Sequence, residues 1–183
     1  SGSEDTDFGA RLLARSAREA YTTLYRKGYF RHITENYDRV RVLEEEIKRN
    51  LSAMVKSTYS DLSVADATLM IAFTIADTMY VFIRGDGTYA YRERDTGDLI
   101  ITEIDFYSGA PYYFTYDLHP VNDRLYAEQA NQAKVATTHR YNSEGELINT
   151  TSETLKYDQV TFKTMDASNI DFVSVMSDGV SAF

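Results

Sequence analysis

Few residues in this chain are set up to carry chemistry, and two aspartates stand out by their surroundings: Asp86 between Gly85 and Gly87, and Asp178 between Ser177 and Gly179. Each follows an apolar run, Met79 to Ile83 for the first and Phe172 to Met176 for the second. A strand of that kind fixes the direction of a carboxylate while the turn after it opens to solvent, a setting that suits a functional acid. The same pattern has a plainer use, since an Asp-Gly turn lets the carboxylate bond its own backbone or cap the next helix. The two readings divide on whether the carboxylates meet. Other chemistry has less footing. His32, His119 and His139 are far apart, with no second histidine at helical spacing, which argues against zinc. Ser1 invites comparison with an N-terminal nucleophile, but that mechanism needs the serine on a strand and a helix begins here almost at once. Neither a Gly-x-Ser-x-Gly elbow nor a Walker loop occurs.

The composition narrows the field further. A length of 183 residues predicts one domain with a substantial core. With no cysteine, disulfides and thiolate metal sites are excluded, so any metal would be held by oxygen or imidazole. The formal net charge is −9 and no run of lysine and arginine interrupts it, which argues against nucleic acid and anionic membrane as partners. No apolar run reaches the roughly 18 to 20 residues of a membrane span, and no charged-then-apolar leader opens the chain. The expectation is a cytoplasmic monomer. The start at Ser1 and the stop soon after Ser177-Asp178-Gly179 suggest a domain incomplete at both termini.

The elements that must position the two acids can be read from periodicity. Phe8, Leu12, Leu13, Ala17, Ala20, Tyr21 and Leu24 recur at helical spacing, with Asp5 or Asp7 as the expected cap and Gly28 as the expected stop. A second stripe runs through Val40, Leu43, Ile47, Leu51, Met54 and Val55, with Glu44 and Glu45 four residues before Lys48 and Arg49. Two helices joined this briefly should lie antiparallel. Leu69 to Ile75, Met79 to Ile83, the residues after Gly87, and Leu99 to Ile104 then read as a four-stranded antiparallel meander. Its turns fall at Ala76-Asp77-Thr78, Gly85-Asp86-Gly87 and Asp95-Thr96-Gly97-Asp98, and its first two strands are apolar enough for burial on both faces. Beyond it, Tyr112 to Tyr116 is expected to be a strand ended by His119-Pro120. Lys134 to Tyr141 and Glu146 to Thr154 form a polar exposed hairpin, and Val160 to Thr164 and Phe172 to Met176 are two further strands. Helices followed by many antiparallel strands make the class α+β.

Two segments in this order resemble the metal-dependent protein phosphatases, the protein phosphatase 2C-like family. Met79-Tyr80-Val81-Phe82-Ile83-Arg84-Gly85-Asp86-Gly87-Thr88-Tyr89-Ala90-Tyr91 is similar to the family's hairpin in which a strand ends at Gly-Asp-Ser-Arg and resumes with an aromatic. Phe172-Val173-Ser174-Val175-Met176-Ser177-Asp178-Gly179 is similar to its apolar strand ending in Ser-Asp-Gly. Asp7-Phe8-Gly9-Ala10-Arg11-Leu12-Leu13 also looks like the first helix of the bacterial branch. The resemblance implies a four-layer αββα sandwich, two antiparallel sheets face to face with antiparallel helix pairs outside. It further implies a phosphoprotein phosphatase that hydrolyses phosphoserine and phosphothreonine at a centre of two Mg²⁺ or Mn²⁺ ions, with no phosphoenzyme. Asp178 is then a ligand of the paired ions, and Asp86 the turn aspartate near them that helps hold a further metal. Two such ions lower the pKa of a bridging water and neutralise the phosphoryl oxygens, and both are hard cations that take oxygen ligands. This chain departs from the family pattern at Gly87-Thr88, where the family has Ser-Arg, and at Ala182, where many members carry an acid. The family's first Asp-Gly, early acidic ligand, phosphate-binding arginine and final Asp-Asn would fall before Ser1 or after Phe183. Those departures leave a second possibility, a non-catalytic sensor or adaptor that keeps the sandwich for binding.

Overall fold

A computed structural model describes residues 3–58, 60–129 and 132–177. Helix α1 spans Ser3–Arg26 and helix α2 spans Asn36–Ser57. The apolar spacing in α1 buries Leu12, Leu13, Ala17, Ala20 and Leu24, and that in α2 buries Val40, Leu43, Ile47, Leu51 and Val55. Each such leucine or isoleucine contributes about 1.5–3 kcal/mol on leaving water. Ser16, midway along α1, bonds back to the Leu12 carbonyl at 2.8 Å and meets the Met54 sulfur at 3.3 Å, near the far end of α2. Thr23, Leu24 and Lys27 border one cavity with Asp38, Arg41 and Val42 from the start of α2. The two helices are therefore antiparallel, as their short connection requires. Gly28, in the left-handed region at φ 70°, turns the chain out of α1 as expected. The start of α1 differs from expectation, because Asp7 lies inside the helix and pairs with Arg11 at 2.9 Å instead of capping it. Phe8 is exposed, off the buried stripe. Gly9 allows α1 to touch the short 3-10 turn at Leu62–Ala65, since a Cβ there would sit 1.5 Å from the Val64 carbonyl oxygen.

The strands are β1 Leu69–Ile75, β2 Thr78–Arg84, β3 Gly87–Glu93, β4 Leu99–Phe106, β5 Lys134–Tyr141, β6 Leu147–Leu155, β7 Thr161–Asp166 and β8 Ile170–Met176. They form two antiparallel sheets, one ordered β1-β2-β7 and the other β6-β5-β4-β3-β8. Val81, Ile83 and Met165 from the first sheet share a core with Tyr89, Tyr91, Ile100, Ile104, Ala136 and Ile170 around the second. The two sheets thus pack face to face. The class is α+β, with both sheets of the expected sandwich and one helix pair among the described residues. The chain divides into two compact units, one within Ser1–Leu69 and Tyr113–Leu125, the other within Met70–Tyr112 and Tyr126–Phe183. The helix pair belongs to the first and the sandwich to the second.

Two expectations about the strands need correction. The four-stranded meander does not form, because β2 pairs with β1 and β7 while β3 pairs with β4 and β8. The β1–β2 and β3–β4 connections are hairpins, but Gly85-Asp86 carries the chain from one sheet to the other. An apolar run on each side of a turn shows that both strands are buried, and it is silent on whether they are neighbours. Of the first two strands only β2 is deeply buried, with Tyr80 to Arg84 all inside, whereas β1 is an edge strand and half-buried. The second correction concerns Tyr112 to Tyr116. Helix α3 spans Phe114–Leu118 and helix α4 spans Pro120–Ala127. The aromatics here sit at helical spacing, with the Tyr113 and Tyr116 rings 5.7 Å apart. Pro120 opens α4, where a missing N–H costs nothing, and His119 before it is extended at φ −127°.

Candidate functional site

The corner between the sheets is where the sequence concentrates its unusual residues. Gly85 and Gly87 both hold positive φ, 104° and 130°. At Gly87 a Cβ would lie 2.7 Å from the Met70 sulfur and 2.9 Å from the Met176 carbonyl oxygen, so β1 and β8 both press against the backbone. Only glycine fits that combination of torsion and contact without strain. Asp86 is held between the two and is half-buried.

Arg84, the last residue of β2, is 1% exposed and turns beneath the corner. Its guanidinium donates to the Asp158 carbonyl and stands 4.8 Å from the centre of the Tyr112 ring. A cation over an aromatic face is stabilised by the ring quadrupole, and more so when water is excluded. Tyr112 in turn meets Tyr126 and Tyr157 at 5.0 and 5.5 Å between ring centres, and those two are 5.4 Å apart. The Tyr126 phenol donates to the Ala110 carbonyl at 2.5 Å. Burial pushes that phenol's pKa up, and the charges of Tyr157 and Asp86 push it the same way. The loop after β4, the end of α4 and the loop between β6 and β7 thereby meet around Arg84.

Asp86 is in place at this corner. Asp178 lies outside the described residues, but the strand leading to it is well defined. Met176, two residues before Asp178, pairs with Thr88, two residues after Asp86. The C-terminal end of β8 and the start of β3 are therefore neighbours at the same end of the sandwich. The expected convergence of the two acids rests on that register.

The described residues do not by themselves make a two-ion site. Among them no group of three histidine, aspartate or glutamate side chains is placed to hold a metal. Asp86 brings one carboxylate, whereas hard divalent cations take several oxygen ligands. The histidines are dispersed, with His139 Nδ1 3.0 Å from the Thr150 hydroxyl and His32 bordering a surface cavity in the helical unit. That cavity holds about 940 Å³, yet its charges are mixed and Arg49 and Glu46 already bond each other. We place the candidate site at the corner, where glycine backbone, a half-buried acid and a buried cation coincide.

Sequence reasoning missed Arg84 and the three tyrosines. Arg84 closes an apolar strand and reads as its solvent-facing end, and the tyrosines are spread over forty-odd residues with no common spacing. Lys48 pairs with Glu44 at 3.4 Å and Glu45 at 3.3 Å, and more closely with Asp117 of α3 at 2.7 Å. No family model, curated protein or solved structure matches this chain.

Proposed function

We propose that this chain is the sandwich-bearing part of a metal-dependent protein phosphatase of the 2C-like kind, hydrolysing phosphoserine and phosphothreonine in proteins, with its site at the Asp86 corner. The observation that supports the reading is the pairing of Thr88 with Met176, which stand two residues in sequence from Asp86 and from Asp178. In this reading Gly85 and Gly87 keep the backbone low enough for β8 to approach. Arg84, pinned by Tyr112 and the Asp158 carbonyl, holds the corner rigid so that the carboxylates keep their direction. Asp178 is the ligand of Mg²⁺ or Mn²⁺, and Asp86 supports the same cluster.

The test is Mn²⁺-dependent hydrolysis of a phosphothreonine peptide by the natural polypeptide that carries this chain. Asp178→Ala should abolish it, and Asp86→Asn should weaken the Mn²⁺ requirement's midpoint by about tenfold. Activity retained in Asp178→Ala would discard the assignment. The second reading, a phosphatase-like sensor or adaptor, is favoured by one specific feature: Gly87-Thr88 stands at the corner in place of Ser-Arg. It predicts an intact fold with no Mn²⁺ uptake.

A further inference from the structure

Strand β6 is the outer strand of the five-stranded sheet, paired with β5 on one side. Eight of its nine residues are exposed, Leu147 and Ile148 at 55% and 53%, and only Leu155 is half-buried. Among the described residues no strand pairs with its outer backbone edge. Protected edges carry lysine, proline or a covering loop. Here the sequence is Leu147-Ile148-Asn149-Thr150-Thr151-Ser152-Glu153-Thr154-Leu155, rich in β-branched residues, with no proline or lysine and a single acid.

We propose that β6 is a dimerisation edge on which a second copy of this chain pairs antiparallel about Thr151, joining two five-stranded sheets into one. Rotation about Thr151 sets Leu147 against Leu155, Ile148 against Thr154, Asn149 against Glu153 and Thr150 against Ser152. Each pair matches apolar with apolar, a β-branched residue with its like, or a donor with an acceptor, and no two like charges oppose. Such cross-strand pairs are the unit of sheet stabilisation. A bulge falls at Ile148, since Arg140 faces Asn149 while Tyr141 faces Leu147, so the regular stretch of β6 is Asn149 to Leu155. The central five pairs, Asn149 to Glu153, lie inside it. Just beyond the strand ends the same rotation brings the exposed Glu146 of each copy toward the exposed Lys156 of the other. On one face of the sheet β5 and β6 already join polar side chains across the strands, Thr137 to Ser152 at 3.1 Å and His139 to Thr150 at 3.0 Å. The second copy extends this pairing. A closed two-fold contact of this kind consumes the edge and stops at two chains.

The test is sedimentation velocity over a wide concentration range, with amide hydrogen exchange of residues 147–155 on the same samples. The wild-type chain should form a dimer with rising concentration, and the β6 amides should become protected in step. Thr151→Lys places two lysines opposite each other at the axis and should raise the dimer Kd about fivefold. Asn149→Glu creates two like-charge pairs with Glu153 and should raise it roughly thirtyfold. Adding Glu153→Lys to Asn149→Glu should restore dimerisation, a rescue that only this register predicts. All these positions are exposed, so a monomeric variant with the wild-type circular dichroism spectrum is folded. A chain that stays monomeric at every concentration overturns the proposal, as does a dimer indifferent to these changes. Protection of β6 that does not vary with concentration overturns it too, by assigning the edge to a segment of the same polypeptide.

Discussion

Strands β2 and β6 are nearly equal in length and both rich in β-branched or aromatic residues, yet they hold opposite places in the sandwich. In β2 the side chains of Tyr80, Val81, Phe82 and Ile83 are all 1% exposed or less, whereas β6 leaves eight residues in water. The difference follows from neighbours. β2 lies between β1 and β7, with Val81 and Ile83 facing the second sheet and Tyr80 stacked on Phe73 at 5.1 Å on its other face. Among the described residues β6 has a strand partner on one side only, and only Leu155 at its end packs against the core between the sheets. The first strand is held by packing, the second by its ladder with β5, and the two should respond differently to the same change.

The largest expected effect is in β2. Phe82→Ala should lower stability by about 3–5 kcal/mol in urea unfolding, because the cavity adds to the lost transfer energy, while Ile148→Ala in β6 should cost under about 0.5 kcal/mol. Comparable losses at both positions would erase the contrast. Next comes the corner that β2 leads into. Gly87→Ala must bear a φ of 130° and the contacts with Met70 and Met176, and should cost about 2–3 kcal/mol by the same measurement. A neutral result would mean that β1 and β8 do not press on this backbone.

A third prediction uses Tyr91, on the buried face of β3. Desolvation first, then the charges of Tyr89 and Glu93, push its phenol up from the ordinary 10.0 to about 12. Between those values the unfolded chain has released the proton and the folded chain still holds it. Stability is therefore intact below about pH 10 and falls as pH rises toward about 12, by roughly 2 kcal/mol from this group. Tyr91→Phe should flatten that alkaline fall, measured by urea unfolding at about pH 9 and about pH 11.5. The smallest effect is a gain. Ala76 in the β1–β2 turn sits at φ 51°, so Ala76→Gly should stabilise by about 0.5–1 kcal/mol.

What the sequence reveals of this fold is what periodicity encodes. The stripes of α1 and α2, the polar hairpin of β5 and β6, and the apolar runs of β2 and β8 are all legible, since each is a local pattern of two or of nearly four residues. Which sheet a strand joins is not local. Gly85-Asp86-Gly87 and Ala76-Asp77 look alike as turn signals, but one carries the chain across the sandwich and the other closes a hairpin. Tyr112 to Tyr116 misleads because aromatics favour strands when counted singly, while here Phe114 and Thr115 are buried by a short helix. Of the candidate site, Asp86 and its glycines can be found from the turn signal. Arg84, Tyr112, Tyr126 and Tyr157 cannot, since they lie far apart in sequence, on the end of β2, two loops and α4, and meet only in the folded chain.

The proposed ion site lies at the end of the sandwich where β8 runs beside the start of β3. Paramagnetic broadening by Mn²⁺ of assigned amide resonances measures this directly, in the natural polypeptide carrying this chain. Broadening should centre on Gly85, Asp86, Gly87 and Ser177 and disappear in Asp178→Asn. Broadening centred elsewhere, or unchanged by that substitution, would contradict the account.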